Sequence, residues 1–113
     1  MPHSRDSKRR SKRLGLRVPV RVYGRTADDR PFRDNTETLH VNASGARVEL
    51  GELLTPGQTI LLVHGITGEE RECCVVDVRP NRQGKWKVGL AFLKPEGNFW
   101  HIFQPLEVVG AER

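Results

Sequence analysis

From Arg17 onward the chain is a series of short stretches in which apolar and polar positions alternate, broken by turn residues. Alternation places every second side chain on one face, which is the signature of a half-buried β-strand. Val18 to Tyr23 puts Val18, Val20 and Val22 on one side. Pro19 lies within it and has no N–H for a ladder, which favours an edge or a strand start. Gly24 to Asn35 is polar and reads as a loop, and Thr36 to Val41 as a second strand. Asn42-Ala43-Ser44-Gly45 is a turn, after which Ala46 to Leu50 forms a third strand. Past the Pro56-Gly57 turn comes a fourth strand, Thr59 to His64. Gly65 to Gly68 links it to a fifth, Glu70 to Val78. Pro80 to Gly84 is a second hairpin loop, leading to a sixth strand, Lys85 to Phe92, with Trp86, Val88, Leu90 and Phe92 on one face.

Six short strands with regular turns predict an all-β, six-stranded antiparallel β-barrel, since closure removes exposed strand edges. Phe99, Trp100, Ile102 and Phe103 crowd a segment bounded by Pro105, which predicts a short C-terminal helical turn plugging one mouth of the barrel. Trp86, Phe92, Phe99, Trp100 and Phe103 are expected in the core rather than as a platform for stacked bases.

Charge divides the chain. Residues 1–17 hold seven basic residues (Arg5, Lys8, Arg9, Arg10, Lys12, Arg13, Arg17) against the single acid Asp6, a net +6, while the rest of the chain carries −1, so the basic excess behind the overall +5 resides entirely there. Residues 1–16 also lack apolar periodicity, so they read as a basic flexible tail ahead of a barrel domain spanning 17–113. A domain that binds nucleic acid usually shows a basic face on its folded body as well. Here the charge sits on a movable segment, which suits an anion gripped at one edge of the barrel, or a weak non-specific tether to RNA or membrane.

Other chemistry is sparse. The two cysteines, Cys73 and Cys74, are adjacent, an arrangement that rarely closes a disulfide. In a strand one faces inward and the other outward. They have no zinc-ligand spacing, and His3, His40, His64 and His101 are scattered, so neither a metal nor a cofactor is expected. No phosphate-binding glycine loop and no nucleophile–base motif is present, which argues against an enzyme. Glu69, Glu70 and Glu72 read as solubilising charge at a hairpin. No apolar run approaches the roughly 18 residues of a membrane span, and no apolar segment follows the basic start as in a signal peptide. A cytoplasmic location is expected.

Arg9 and Arg13 are spaced Arg-x-x-x-Arg, with Arg10 beside the first, just ahead of the first strand. Asn42-Ala43-Ser44 follows at the end of strand two, and Lys87-Val88-Gly89-Leu90-Ala91-Phe92 forms strand six. Together these features resemble the PilZ domain family over roughly residues 9 to 104. In that family the arginine pair precedes strand one, and a motif Asp/Asn-x-Ser-x-x-Gly joins strands two and three. Asn42 and Ser44 match its first two positions, whereas Arg47 stands where the glycine would be, and Gly45 is the nearest glycine. The turn reads as shortened. The resemblance implies a bacterial receptor for the second messenger cyclic di-GMP, with Arg9, Arg10, Arg13, Asn42, Ser44 and Gly45 as ligand-binding residues. It also implies signalling through a separate effector protein, since the chain shows no output module of its own.

The chemistry suits the ligand. Guanidinium forks bind phosphate oxygens or the guanine O6/N7 edge in parallel pairs of hydrogen bonds. Asn42 can donate and accept toward a base edge, the Ser44 hydroxyl can do either, and a bare glycine lets the backbone approach closely. Two other readings stay open: a PilZ-like domain that has lost the nucleotide and serves as a protein-interaction module, and non-specific binding of RNA or DNA by the tail.

Overall fold

The computed structural model describes residues 13–94 and 97–101. Six strands form a closed antiparallel barrel: β1 Pro19–Arg25, β2 Pro31–Asn42, β3 Gly45–Leu50, β4 Thr59–His64, β5 Glu70–Pro80 and β6 Trp86–Phe92. Their order around the barrel is β1-β2-β3-β6-β5-β4, and β4 closes on β1 through Val20↔His64 to Tyr23↔Leu61. Every pairing is antiparallel. The inward positions of the alternating stretches make the core. Val20, Val22, Val41, Val48, Leu50, Ile60, Leu62, Cys73, Val75, Val88, Leu90 and Phe92 are all buried there, joined by Leu54 from the β3–β4 connection. Branched residues dominate because they fit a pleated, inward-facing surface. Pro19 opens β1, where its missing N–H is tolerated.

One expectation is overturned. The polar stretch Gly24 to Asn35 is mostly strand: β1 runs on to Arg25 and β2 starts at Pro31, pairing Arg25↔Pro31 through Arg21↔Asn35. The exposed side chains of Pro31, Arg33 and Asn35 alternate with half-buried Phe32, Asp34 and Thr36. This ribbon is held by ladder hydrogen bonds with β1, so it needs little apolar burial to be a strand. The true loop is Thr26 to Arg30. There the Thr26 hydroxyl accepts from the Arg30 amide at 3.0 Å, and Asp29 takes a φ of +64°.

The mouth of the barrel is closed by Phe99 and Trp100, both buried, against Phe92 and His64. No helix occurs among the described residues. Asn98 to His101 form a turn, closed by the His101 amide donating to the Asn98 carbonyl at 3.1 Å. Ile102, Phe103 and the rest of the expected helical turn lie outside the described residues, as do residues 1–12 of the basic tail. No helix among the described residues is long and apolar enough to cross a membrane.

Candidate functional site

The approach to β1 is fixed by β2. Leu14 and Val41 exchange both backbone hydrogen bonds, at 2.8 and 2.9 Å. Two residues on, the fully buried Thr38 donates its hydroxyl to the Leu16 carbonyl at 2.6 Å and accepts from the Val18 amide at 2.9 Å. A threonine here is a polar rail inside an apolar wall, with its hydroxyl satisfied at both ends. It coincides with a register shift in the β2–β3 ladder between Thr38 and His40. The incoming chain is thereby laid along β2, and Arg13 sits at the start of that track.

Arg13 lines a shallow hollow of about 150 Å³ on the outer surface of the barrel. Around it come His40 and Asn42 from β2, Ser44 from the turn that follows, Gly45 and Arg47 from β3, Val76 from β5, and Gly89 and Ala91 from β6. Two widely separated parts of the sequence, Arg13 and the turn that carries Asn42 and Ser44, thus meet at one place. Arg9 and Arg10 lie outside the described residues.

The Asn42–Gly45 connection is a two-residue hairpin turn. Neither Ala43 nor Ser44 takes a positive φ, so the turn is not of the mirror-image type that usually suits such hairpins. The Asn42 side chain supports it instead. Its Oδ1 accepts from the Ser44 amide at 2.9 Å and from the Ser44 hydroxyl at 3.1 Å. That leaves the amide N–H groups of Asn42 as the donors it can offer a ligand. The backbone at Asn42 is fixed from the other side, where the Trp100 indole N–H donates to its carbonyl at 3.0 Å. The plug of the barrel and the turn at the hollow are therefore one connected structure. Gly45 is buried against β6: a Cβ there would lie 2.0 Å from the Leu90 carbonyl oxygen. Its bareness is required by the approach of β3 to β6, and only its backbone faces the hollow.

Arg47, which lines the hollow, belongs to a pair that the sequence did not reveal. Arg47 on β3 and Asp77 on β5 flank β6, and both are in register with Gly89. The Arg47 terminal nitrogens donate to the two Asp77 carboxylate oxygens at 3.0 and 3.3 Å. They meet across β6 because Gly89 has no side chain; a Cβ there would come within 2.8 Å of Asp77 Oδ1 and 3.2 Å of an Arg47 nitrogen. A bulge between Val75 and Asp77 brings Asp77 onto this row and turns Val76 outward, leaving it 54% exposed. The Arg47 hydrogen bond, strengthened by its charge and by Arg79, holds the Asp77 carboxyl below the usual carboxylate range, against a smaller opposing effect of burial. The Asp77 carboxylate is therefore ionised at neutral pH.

Other titratable groups lie away from the hollow. Buried His64 caps the β4–β5 hairpin, its Nδ1 accepting from the amides of Ile66 at 3.1 Å and Thr67 at 3.3 Å. An Nδ1 that accepts belongs to a neutral ring protonated on Nε2. Glu69, read from sequence as solubilising charge, pairs instead with His101. Cys73 is buried and Cys74 half-buried, and both are free thiols. Among the described residues no cluster of His, Cys, Asp or Glu has the makings of a metal site.

No family model matches the sequence, and no curated protein does. Solved structures are similar. The chain aligns with the inhibitor of motility MotI of Bacillus subtilis at TM-score 0.61 and 18% identity, over 79% of this chain and 44% of that one. It aligns with YcgR of Escherichia coli in complex with c-di-GMP at TM-score 0.61 and 18% identity, over 93% and 48%. With the PilZ domain of YcgR from Escherichia coli, solved with c-di-GMP, the TM-score is 0.60 at 16% identity, over 93% and 95%. The chain thus spans about half the length of the first two proteins and nearly all of the isolated domain. Identities of this size speak for the fold, and the closed six-stranded barrel described above is the PilZ fold.

Proposed function

We propose that this domain is a receptor for cyclic di-GMP, acting without catalysis of its own in the bacterial cytoplasm. Arg9, Arg10 and Arg13 grip the nucleotide from the tail, while Asn42, Ser44 and the backbone at Gly45 contact it from the barrel. The observation that carries this reading is the convergence of Arg13, Asn42 and Ser44 on one hollow, on a fold whose solved relatives include a domain with c-di-GMP. The hollow is smaller than the roughly 300–1,000 Å³ of pockets that enclose a whole ligand. It has room for one part of the nucleotide, so the remainder is left to the basic tail. Ordering of the tail on the ligand changes the surface next to the barrel, and that change is what an effector protein reads.

Each charge-assisted hydrogen bond from an arginine contributes about 1.5–3 kcal/mol. Calorimetric titration of cyclic di-GMP at about 0.15 M salt, a strength at which weak non-specific tail contacts are largely screened, compares the wild type with the Arg9→Ala/Arg13→Ala double variant. The expected result is binding by the wild type and a loss of about 100-fold or more in the variant. A folded wild type that binds no cyclic di-GMP sinks the proposal.

A second reading is favoured by the Arg47–Asp77 pair, which occupies the place of the motif's glycine. On this reading the hollow is closed to nucleotide and the domain is an interaction module. Replacement of Arg47 distinguishes the two.

A further inference from the structure

We propose that Arg47 is a specificity residue of the hollow, presenting a fixed set of N–H donors to the acceptor edge of a guanine. This inference rests on the nucleotide reading above and goes beyond it, because the motif that the chain resembles has glycine at this position.

Arg47, Gly89 and Asp77 lie in one row across β3, β6 and β5. Asp77 engages one N–H on each terminal nitrogen of the guanidinium. Of the five donors of the fork, three remain, and their directions are set by the ion pair. Arg47 lines the hollow without filling it. Some 150 Å³ stay open with both side chains in place, and the Arg47 side chain keeps 25% of its exposure. The charge balance is also right for an acceptor. Asp77 is engaged by Arg47 and approached by Arg79 at 3.9 Å, and among the described residues that line the hollow there is no carboxylate, so its side chains offer donors.

Guanine presents O6 and N7, two acceptors side by side, to which an arginine fork bonds twice. Adenine presents N7 beside an N6 amino group, so one of the two contacts becomes donor against donor. A fork held rigidly by Asp77 cannot turn away from that clash. Lysine would keep the charge without the paired donors.

The test measures affinities for cyclic di-GMP and cyclic di-AMP in the wild type, Arg47→Ala and Arg47→Lys, with circular dichroism melts to establish that each variant is folded. The expected result is a wild-type preference for cyclic di-GMP that falls by roughly 5- to 150-fold in both variants, mainly through weaker cyclic di-GMP binding. An unchanged preference in both variants overturns the proposal while leaving the receptor reading intact. Tighter cyclic di-GMP binding by Arg47→Ala also overturns it, and identifies Arg47 as an obstruction. Failure of the wild type to bind either nucleotide overturns the receptor reading and this inference together.

Discussion

A Cβ on Gly45 would lie 2.0 Å from the Leu90 carbonyl oxygen and 3.1 Å from the Ala91 Cα, both backbone atoms that cannot turn aside. Gly45→Ala must therefore push β3 from β6, at a cost of about 1–3 kcal/mol, the range for overpacking. Urea denaturation is expected to show a lower midpoint, and an unchanged midpoint would contradict the packing described. The adjacent cysteines give a second test. Burial, helped by the neighbouring Cys74, pushes the Cys73 thiol up to about 12, so it stays protonated at any ordinary pH. Reaction with a thiol reagent at pH 8 is expected to label Cys74 alone in the native protein. Labelling of both at equal rates without denaturant would refute it. That one cysteine faces inward and the other outward followed from their adjacency in an alternating strand. The Arg47–Asp77 pair did not follow from anything in the sequence, because a bulge decides which face of β5 Asp77 occupies and nothing at residues 75–77 marks that bulge.

At the scale of elements, strands whose alternation was apolar on one side were legible: β4 occupies the expected residues, and β3 and β6 differ from expectation by one residue at their starts. The early part of β2 was not, because its strand character comes from pairing with β1 rather than from its own apolar positions. The plug formed by residues 97–101 was legible as aromatic core, but its latches were not. They are His101 with Glu69 and the Trp100 indole with Asn42, contacts between residues 32 and 58 positions apart. This element carries a pH dependence. Burial is the main cause, and His101 a lesser one, that lowers the His64 pKa from its ordinary 6.5. The unfolded chain therefore takes up the proton first. Stability is complete above pH 6.5 and is lost as pH falls through the lowered native value. Glu69 is held low chiefly by its hydrogen bond with His101, so its contribution persists above 4.5 and is lost only as pH falls through its lower native value. Thermal melts are expected to show a falling Tm from pH 7 to pH 5 in the wild type. In His64→Asn, which keeps an acceptor near Nδ1 but does not titrate, the Tm should change less. Equal slopes would show that His64 is not the group responsible.

At the scale of the whole molecule, the barrel sets the positions of the proposed binding groups, and the net positive charge lies in the basic segment. The convergence of Arg13 with Asn42 and Ser44 depends on the Leu14–Val41 pairing and the Thr38 rail, which lay the chain ahead of β1 along β2. The types of the site residues could be read from motif and charge, while their meeting depends on long-range ladder contacts. The most direct test of the account is an NMR titration of the whole chain with cyclic di-GMP, following backbone amides. Shifts are expected at Arg13, at His40 to Arg47 and at Gly89 to Ala91, together with protected amides around Arg9 and Arg10. Unmoved amides at saturating nucleotide, or shifts confined to the cleft between Glu70 and Gly97 on another part of the barrel, would contradict it.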